Sequence, residues 1–278
     1  MDQTDEAWRY STADLPPAKN PLLYAYRCIL KAATIIVFGT SAFLFGLILL
    51  PLLRLMLHPA WRFKKVARTV THLMFRFSLL VLRILGGIRL DVQGKETLRS
   101  MKGKILVANH PSILDGVILI SLVPNADCIM RGSLTHSVMS GVVRQLYIVN
   151  DMGYEQLLPH CKKSLEEGAN IIIFPEGTRS PRHGTNKFKR GAAHIAHDTG
   201  ADIQVLYIGG NDKYGLGKHD PFLSYNREEI YHYDLHLLPA IHAADYADMP
   251  GQIAARRMTE KIHETLAAEA LARDNRIL

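Results

Sequence analysis

The segment NHPSILD (residues 109–115) combines the residue types needed for proton transfer. It follows KILVAN (104–109), whose apolar character predicts a buried strand, and loops at strand ends commonly form functional sites. Pro111 suits the first turn of a helix, so Asp115 is expected about one turn into it. Its carboxylate would then accept a hydrogen bond from one imidazole nitrogen of His110. The other nitrogen would take a proton from a substrate hydroxyl.

Taken alone, the His110–Asp115 pattern is a weak signal. The chain has 13 histidines, and a lone histidine is usually structural, while Asp115 alone could be a charge on a helix surface. No serine nucleophile pattern accompanies the pair. If the pair is functional, it therefore favours direct attack by the substrate's own oxygen atom.

A second polar segment, FPEGTRS (174–180), follows another predicted buried strand. Gly177 lets the backbone approach a ligand closely. The segment supplies donors suited to phosphate, and Arg179 is able to bind phosphate in a bidentate way. The stretch KFKRGAAHIA (187–196) adds cations just before a predicted helix, where anions are favoured. The candidate binding residues here are Glu176, Gly177, Thr178, Arg179, Ser180, Lys187, Lys189 and Arg190.

The two segments together resemble the glycerolipid acyltransferase family, which includes the lysophosphatidate (1-acylglycerol-3-phosphate) acyltransferases. NHPSILD is similar to that family's NHxxxxD block and FPEGTRS to its most characteristic block, in the same order and about sixty residues apart. The resemblance covers roughly residues 85–215. It implies that His110 is the general base and Asp115 its orienting partner. It also implies that Glu176, Gly177 and Arg179 hold the phosphate-bearing end of the acceptor.

The same resemblance implies the reaction and the other reactants. The acyl donor is expected to be a thioester on coenzyme A or acyl carrier protein, with no cofactor, metal or covalent acyl-enzyme required. The most specific expectation is acylation of 1-acyl-sn-glycerol-3-phosphate to phosphatidate. One alternative keeps the chemistry but changes the acceptor to another lysophospholipid, an amino-acid lipid or a specialised polyene lipid. Another alternative is a non-catalytic, membrane-bound lipid-binding protein.

Departures from the family pattern keep the alternative acceptors open. Arg131 matches a basic residue that family members often have between the two blocks. Asn150 stands where an arginine is common, and Leu206 stands near an expected proline. The missing arginine affects the expected acceptor and leaves the His-Asp chemistry untouched.

The N-terminal third of the chain predicts membrane attachment. Residues 1–21 are polar and predict a mobile tail, and residues 22–86 predict membrane-anchoring helices. Within the latter, residues 32–53 form a run of 22 positions without a charge, which meets the length needed to cross a bilayer. Gly39, Gly46 and Pro51 also permit a kinked or re-entrant hairpin. A buried helix of a soluble core is the remaining alternative.

Residues 62–85 predict an amphipathic helix with a basic surface. An apolar face running from Phe63 to Ile84 in steps of three and four is expected beside a surface that includes Arg68 and His72. Eight basic and no acidic residues lie between Arg54 and Arg89, which leaves the rest of the +7 chain at about −1. This tract favours membrane lipids over nucleic acid as the partner. Its position weakly predicts a catalytic domain facing the cytoplasm, in a bacterial inner membrane.

Residues 87–278 predict an α/β domain with a mixed, mostly buried sheet flanked by helices. The three cysteines are far apart and indicate a reduced body. His232, Asp234 and His236 alternate and predict one strand face, either solvated or, less favoured, metal-binding. The predicted strands are 88–93, 104–109, 127–131, 146–149, 170–174, 202–208 and 230–236. The predicted helices lie near 112–122, 134–144, 155–167, 188–199 and 250–272.

Overall fold

The computed structural model describes residues 8–151 and 153–273. Short apolar runs form a seven-stranded sheet in the order β1-β7-β6-β2-β5-β3-β4. All neighbouring strands pair in parallel except β6 and β7, which are antiparallel, so the predicted mixed sheet is confirmed. The strands are β1 (Ile88–Gln93), β2 (Ile105–Ala108), β3 (Ala126–Arg131), β4 (Ile148–Asn150), β5 (Asn170–Ile173), β6 (Ile203–Gly210) and β7 (Tyr231–Leu237).

Helices cover both faces of the sheet, which explains why the neighbouring strands β2 and β5 are buried at every position. They are α1 (Pro21–Leu44), α2 (Leu50–Met56), α3 (Ala60–Ile84), α4 (Lys95–Ser100), α5 (Asp115–Leu122), α6 (Ser140–Leu146), α7 (Tyr154–Glu166), α8 (Gly191–Thr199) and α9 (Gly251–Arg273). On β2, Leu106 and Ala108 pack in the layer of α1, α3, α5 and α6. Ile105 and Val107 pack in the opposite layer, with α7, α8 and α9. All seven strands follow the predicted pattern, whereas α4 was not predicted.

The N-terminal apolar run forms one helical segment from Pro21 to Met56, in which a π-helical turn (Phe45–Leu49) joins α1 to α2. By length and composition this segment is able to cross a membrane. One side, with Cys28, Ala32 and Phe45, is buried against the body. The backbones of Gly46 and Gly141 approach so closely that a β-carbon at Gly46 would lie 2.9 Å from the carbonyl carbon of Gly141. The apolar segment therefore lies along the body and exposes its other side.

Helix α3 differs from the single apolar face that its sequence predicts. Its buried side includes the polar residues Arg68 and His72. Arg68 Nε donates to Asp127 Oδ1 at 3.0 Å, and His72 Nδ1 lies 2.8 Å from the carbonyl oxygen of Ile120. The placement of Arg68 and His72 on the exposed surface was therefore wrong, because buried partners on the body satisfy both. Five apolar side chains at helical spacing remain exposed: Leu73, Phe77, Leu80, Val81 and Ile84.

The polar N-terminal segment lies against the body from Trp8 onward. The Trp8 ring stacks on His183 at 5.1 Å, and Arg9 Nη2 donates to Asn186 Oδ1 at 3.0 Å. Residues 1–7 of the predicted mobile tail lie outside the described residues. The mobility of this tail stays a prediction.

Candidate active site

The site begins where β2 ends. Asn109 locks the end of this strand to β6, since its Nδ2 donates to the carbonyl of Ile208 and its Oδ1 accepts from the Ile208 amide, at 2.9 and 2.8 Å. His110 follows immediately. Its ring stacks on that of Phe174, the residue directly after β5, with ring centroids 4.0 Å apart. Phe174 therefore supports the imidazole. Two neighbouring strand ends thus fix the position of the histidine.

Asp115 accepts a hydrogen bond from His110, with Nδ1 and Oδ2 2.8 Å apart. The carboxylate is fully buried, whereas the imidazole is 20% exposed. Helix α5 begins at Asp115, so the predicted position one turn inside the helix was wrong. A turn at residues 112–114 intervenes, and it directs the Ser112 amide to the same carboxylate oxygen at 2.7 Å. The pair leaves Nε2 as the ring nitrogen not bound to Asp115.

The Asp115 carboxylate is held further by a buried chain of hydroxyl groups. Ser112 Oγ donates to Asp115 Oδ1 at 2.5 Å and lies 2.7 Å from the hydroxyl of Tyr233 on β7. Because the Ser112 hydrogen is directed to the carboxylate, Tyr233 donates to Ser112. Burial, and then the charge of Asp115, raise the pKa of Tyr233, so its phenol stays protonated and able to donate. Ser112 is fully buried, which excludes it as a nucleophile in this conformation.

Glu176 connects the second segment to the first. Its Oε1 accepts from the backbone amide of His110 at 3.1 Å and from the Ser180 hydroxyl, and its Oε2 accepts from Asn186 Nδ2 at 2.9 Å. The Ser180 amide in turn donates to the His110 carbonyl at 2.7 Å. Burial raises the pKa of Glu176, while these hydrogen bonds oppose the shift. Both carboxylate oxygens are therefore engaged within the protein.

Arg179 extends from the second segment to the loop between β6 and β7. Its Nη1 donates to the carbonyls of Leu216 and Gly217, at 3.0 and 2.7 Å. Burial lowers the pKa of Arg179, and the charges of Asp220 and Asp115 counteract this. Gly177 adopts φ +66°, and a β-carbon there would lie 3.0 Å from Lys189 Nζ. The Lys189 side chain therefore lies directly over the backbone of Gly177.

The other predicted binding residues lie further out. Thr178 is half-buried within the second segment, while Lys187 and Arg190 are exposed just before α8. Arg131 is exposed at the end of β3, two strands away from β2, and is paired in register with Asn150. Leu206 is fully buried in mid-strand between Ala108 and Leu237, so this departure from the family pattern concerns packing.

A solvent-open cleft borders both segments. Asn109, Pro111 and Ser180 line one side, and Tyr10 and Asp14 of the N-terminal segment line another. Ser112, Tyr233 and Asn186 were missed from the sequence as parts of the site. Ser112 lies within NHPSILD, but Tyr233 and Asn186 carry no pattern that connects them with it.

The two histidines on β7, His232 and His236, share a face with Asp234, as predicted, but each contacts a different carboxylate. His232 Nε2 lies 2.8 Å from Asp91 Oδ2 on β1, and His236 Nε2 lies 2.8 Å from Asp234 Oδ2. Within residues 8–151 and 153–273, no group of three or more His, Cys, Asp or Glu side chains is placed to hold a metal ion. The metal-binding interpretation of this strand therefore has no support.

Comparisons with known proteins find similarity to acyltransferases. The family model described as Acyltransferase matches residues 89–209. A 1-acyl-sn-glycerol-3-phosphate acyltransferase of Pseudomonas aeruginosa is 26% identical over 190 residues, covering 66% of this chain and 68% of that protein. The chloroplastic 1-acyl-sn-glycerol-3-phosphate acyltransferase BAT2 of Brassica napus is 31% identical over 130 residues, covering 44% of this chain. The match spans 38% of the Brassica protein.

A solved structure shares the fold. The 1-acyl-sn-glycerophosphate acyltransferase of Thermotoga maritima superposes with a TM-score of 0.68 at 18% identity, covering 88% of this chain and 95% of that one. The likeness extends beyond the segment that the family model matches. It therefore includes residues on both sides of that segment.

Proposed function

Because this chain matches the Acyltransferase family model over residues 89–209 and is similar to 1-acyl-sn-glycerol-3-phosphate acyltransferases, we propose that it transfers a fatty acyl group from a thioester to a lysophospholipid hydroxyl. The donor is acyl-CoA or acyl carrier protein, and the leading acceptor is 1-acyl-sn-glycerol-3-phosphate, giving phosphatidate. The observation that carries this proposal is the 2.8 Å contact between His110 Nδ1 and the fully buried Asp115 carboxylate.

The mechanism follows from that contact. Asp115 keeps the proton of the neutral imidazole on Nδ1, which leaves Nε2 as the base. Nε2 accepts the proton of the acceptor hydroxyl as its oxygen attacks the thioester carbonyl carbon. The tetrahedral oxyanion then collapses, the carbon–sulfur bond breaks, and the departing thiolate takes the proton from the imidazolium. A positioned base of this kind contributes about 10²–10⁴-fold to the rate.

For the acceptor's phosphate, the proposal assigns direct contact to Thr178, Arg179 and Lys189. Arg179 and Lys189 supply the positive charge, and Gly177 allows a close approach of the backbone. For Glu176 we propose a positioning role, because both its oxygens are already bound within the protein and its charge would repel a phosphate. Ser180 shares that role. Lys187, Arg190 and Arg131 are exposed and are proposed to act on the approaching anion over a longer range.

The runner-up keeps this chemistry and changes the acceptor. The observation in its favour is Asn150, which is paired with Arg131 at the carboxyl edge of the sheet where a second arginine is common. With one cation instead of two at the ends of β3 and β4, this part of the edge attracts a phosphate less strongly and favours an acceptor carrying less negative charge. Leu206 gives the runner-up no support, because it lies in the core.

Membrane attachment is the second part of the proposal. The side of α1 away from the body exposes apolar residues along its length, including Leu22, Ile29, Ile36 and Phe43. The exposed stripe of α3 adds apolar surface, with Arg76 and Arg83 beside it. An apolar surface flanked by cations favours an anionic lipid bilayer. We propose that these helices hold the catalytic domain at the cytoplasmic surface of a membrane.

One assay tests the reaction and the acceptor. The purified protein in detergent is incubated with acyl-CoA, or with acyl carrier protein loaded with an acyl group, and with a panel of acceptors. Release of the free thiol is then measured. We expect acceptor-dependent release, and a loss of about 10²–10⁴-fold in His110→Ala. His160→Ala, in which an exposed histidine on α7 is removed, serves as the matched control.

The outcomes separate the alternatives. Equal thiol release by the wild type and His110→Ala would contradict the mechanism. Release with another acceptor but not with lysophosphatidate would favour the runner-up. Lipid binding without release under any combination would indicate the non-catalytic alternative.

A further inference from the structure

The loop between β6 and β7 (residues 211–230) is compactly folded but exposes two apolar side chains to solvent. Tyr214, Leu216 and Tyr225 within it are buried. Asp220 Oδ2 accepts from the amides of Gly215 and Gly217, both at 2.8 Å, which folds the loop back on itself. At the tip, by contrast, Phe222 is 52% and Leu223 is 67% exposed. A rigid loop therefore holds this apolar tip in solvent.

The same loop is bound to the apolar helix α1. Lys31, a buried cation on α1, donates from Nζ to the carbonyl of Gly215 at 2.8 Å, and its Nζ lies 6.0 Å from the centroid of the Phe222 ring. Nearby, the Tyr225 hydroxyl donates to the carbonyl of Gly87 at 2.5 Å, just after α3. The tip thus lies beside α1, and the loop is joined to the chain just after α3.

On its other side the loop contacts the candidate active site. The carbonyl of Leu216 accepts from the amide of Ile113 and from Arg179 Nη1, both at 3.0 Å, and the carbonyl of Gly217 also accepts from Arg179. Ile113, in NHPSILD, is itself 52% exposed. The loop therefore joins the helix α1, the segment of the proposed base and the proposed phosphate ligand.

We propose that Phe222 and Leu223 insert into the lipid bilayer beside α1, as a separate membrane contact of this chain. The loop then fixes the height of Arg179 relative to the lipid surface from which an acceptor enters. This inference rests on the membrane attachment proposed above. Two side chains are far too small a surface for a stable protein partner, which needs about 800 Å² on each side. They are sufficient to extend an existing contact with a bilayer.

Fluorescence from a single tryptophan tests the insertion. The two native tryptophans, Trp8 and Trp61, are replaced by phenylalanine. Leu223→Trp is then compared with Leu271→Trp, which replaces a 52% exposed leucine on α9 in the opposite layer. Each protein is mixed with phosphatidylcholine–phosphatidylglycerol vesicles whose acyl chains are brominated near the headgroup, and binding is measured by co-sedimentation.

We expect the emission of Leu223→Trp to shift to shorter wavelength and to be quenched by the brominated lipid, while that of Leu271→Trp is unchanged. If the Leu223→Trp variant binds the vesicles but its tryptophan fluorescence is not quenched, the proposal is overturned. Equal quenching at both positions would overturn it too, since it would indicate contact without orientation. Failure to bind vesicles would reject this contact and the proposed attachment together. None of these readings depends on catalysis, so they stand apart from the acyltransferase assignment.

The link to the site has its own measurement. The double variant Phe222→Ser, Leu223→Ser is expected to bind vesicles roughly tenfold less tightly, because two apolar side chains no longer enter the lipid. Its activity is expected to fall on a lysophospholipid carried in vesicles but not on a short-chain acceptor in free solution. An equal fall on both acceptors would contradict the coupling, since it would indicate damage to the site itself.

Discussion

The two segments that form the candidate site are supported in opposite ways. In NHPSILD, the Asp115 carboxylate and the Ser112 hydroxyl are fully buried, and their partners lie within the segment or on strand β7. In FPEGTRS, the contacts of Glu176 and Arg179 extend to Asn186, Leu216 and Gly217, all of which lie in loops. The proposed proton transfer is thus supported by the sheet, whereas the proposed binding of phosphate is supported by loops.

Substitutions in the two segments are therefore expected to have different effects on catalysis. A change in the buried pair alters the basicity and orientation of one imidazole and leaves the acceptor's binding surface in place. A change in the second segment alters the electrostatics of binding while the base remains intact. Effects on kcat are therefore expected from the first segment and effects on the acceptor's KM from the second.

The largest effect is expected from Asp115→Asn. An amide nitrogen facing Nδ1 would donate to it and move the imidazole proton to Nε2, so that Nε2 no longer accepts the substrate proton. We expect kcat to fall about 10²–10⁴-fold with the acceptor's KM little changed. Steady-state kinetics on the detergent-purified protein measure both. A kcat within threefold of the wild-type value would contradict the expected effect of the first segment on kcat.

Arg179→Met is expected to act next most strongly, and on binding. Loss of a charged donor costs about 1.5–3 kcal/mol, which corresponds to an acceptor KM raised roughly 10–150-fold. Arg179→Lys should recover part of this loss, because it restores the charge without the planar fork. An acceptor without phosphate provides the control, since its KM should be similar for all three proteins. A fall in kcat at unchanged KM would place Arg179 in the chemical step instead.

Local features of the fold and the site could be predicted from the sequence, whereas long-range polar contacts could not. All seven strands, the mixed sheet and the family were predicted, because apolar runs and the two polar segments are local patterns. Tyr233 lies 118 residues after Asp115, and only the pairing of β7 with β1 and β6 brings its hydroxyl to Ser112, which binds that carboxylate. The burial of Arg68 likewise depended on Asp127, a partner on another element. Long-range polar partners of this kind have no local signature.

Tyr233→Phe tests the support of the pair by the sheet. It removes the hydroxyl bound to Ser112, so we expect a loss of about 1 kcal/mol in the free energy of unfolding and a fall of a few-fold in kcat. Tyr231→Phe is the matched control on the same strand, because its buried hydroxyl donates to the carbonyl of Tyr214 outside the pair. It should cost similar stability and leave kcat unchanged. Equal kcat values in the two variants would contradict a role for the hydroxyl chain.

The smallest effect concerns Glu176 and pH. Burial raises its pKa above the ordinary value of 4.5, so the folded protein keeps a proton that the unfolded chain has already released. This group therefore adds stability as pH falls through the raised pKa, until the gain levels off near 4.5, where the unfolded chain is protonated as well. The Tm of wild type minus that of Glu176→Gln should accordingly rise as pH is lowered. Melting temperatures that shift in parallel would rule out this assignment.

The pairing of the first strand with the last has a consequence for biosynthesis. Within the described residues β1 pairs with β7, and 137 residues separate Gln93 from Tyr231. At ribosomal rates of about 5–20 residues per second, β1 waits roughly 7–28 s for its partner. The apolar segment from Pro21 to Met56 leaves the ribosome before β1. Under the membrane attachment proposed above, the nascent chain would engage lipid first and close its sheet second, so the catalytic domain would fold at the membrane.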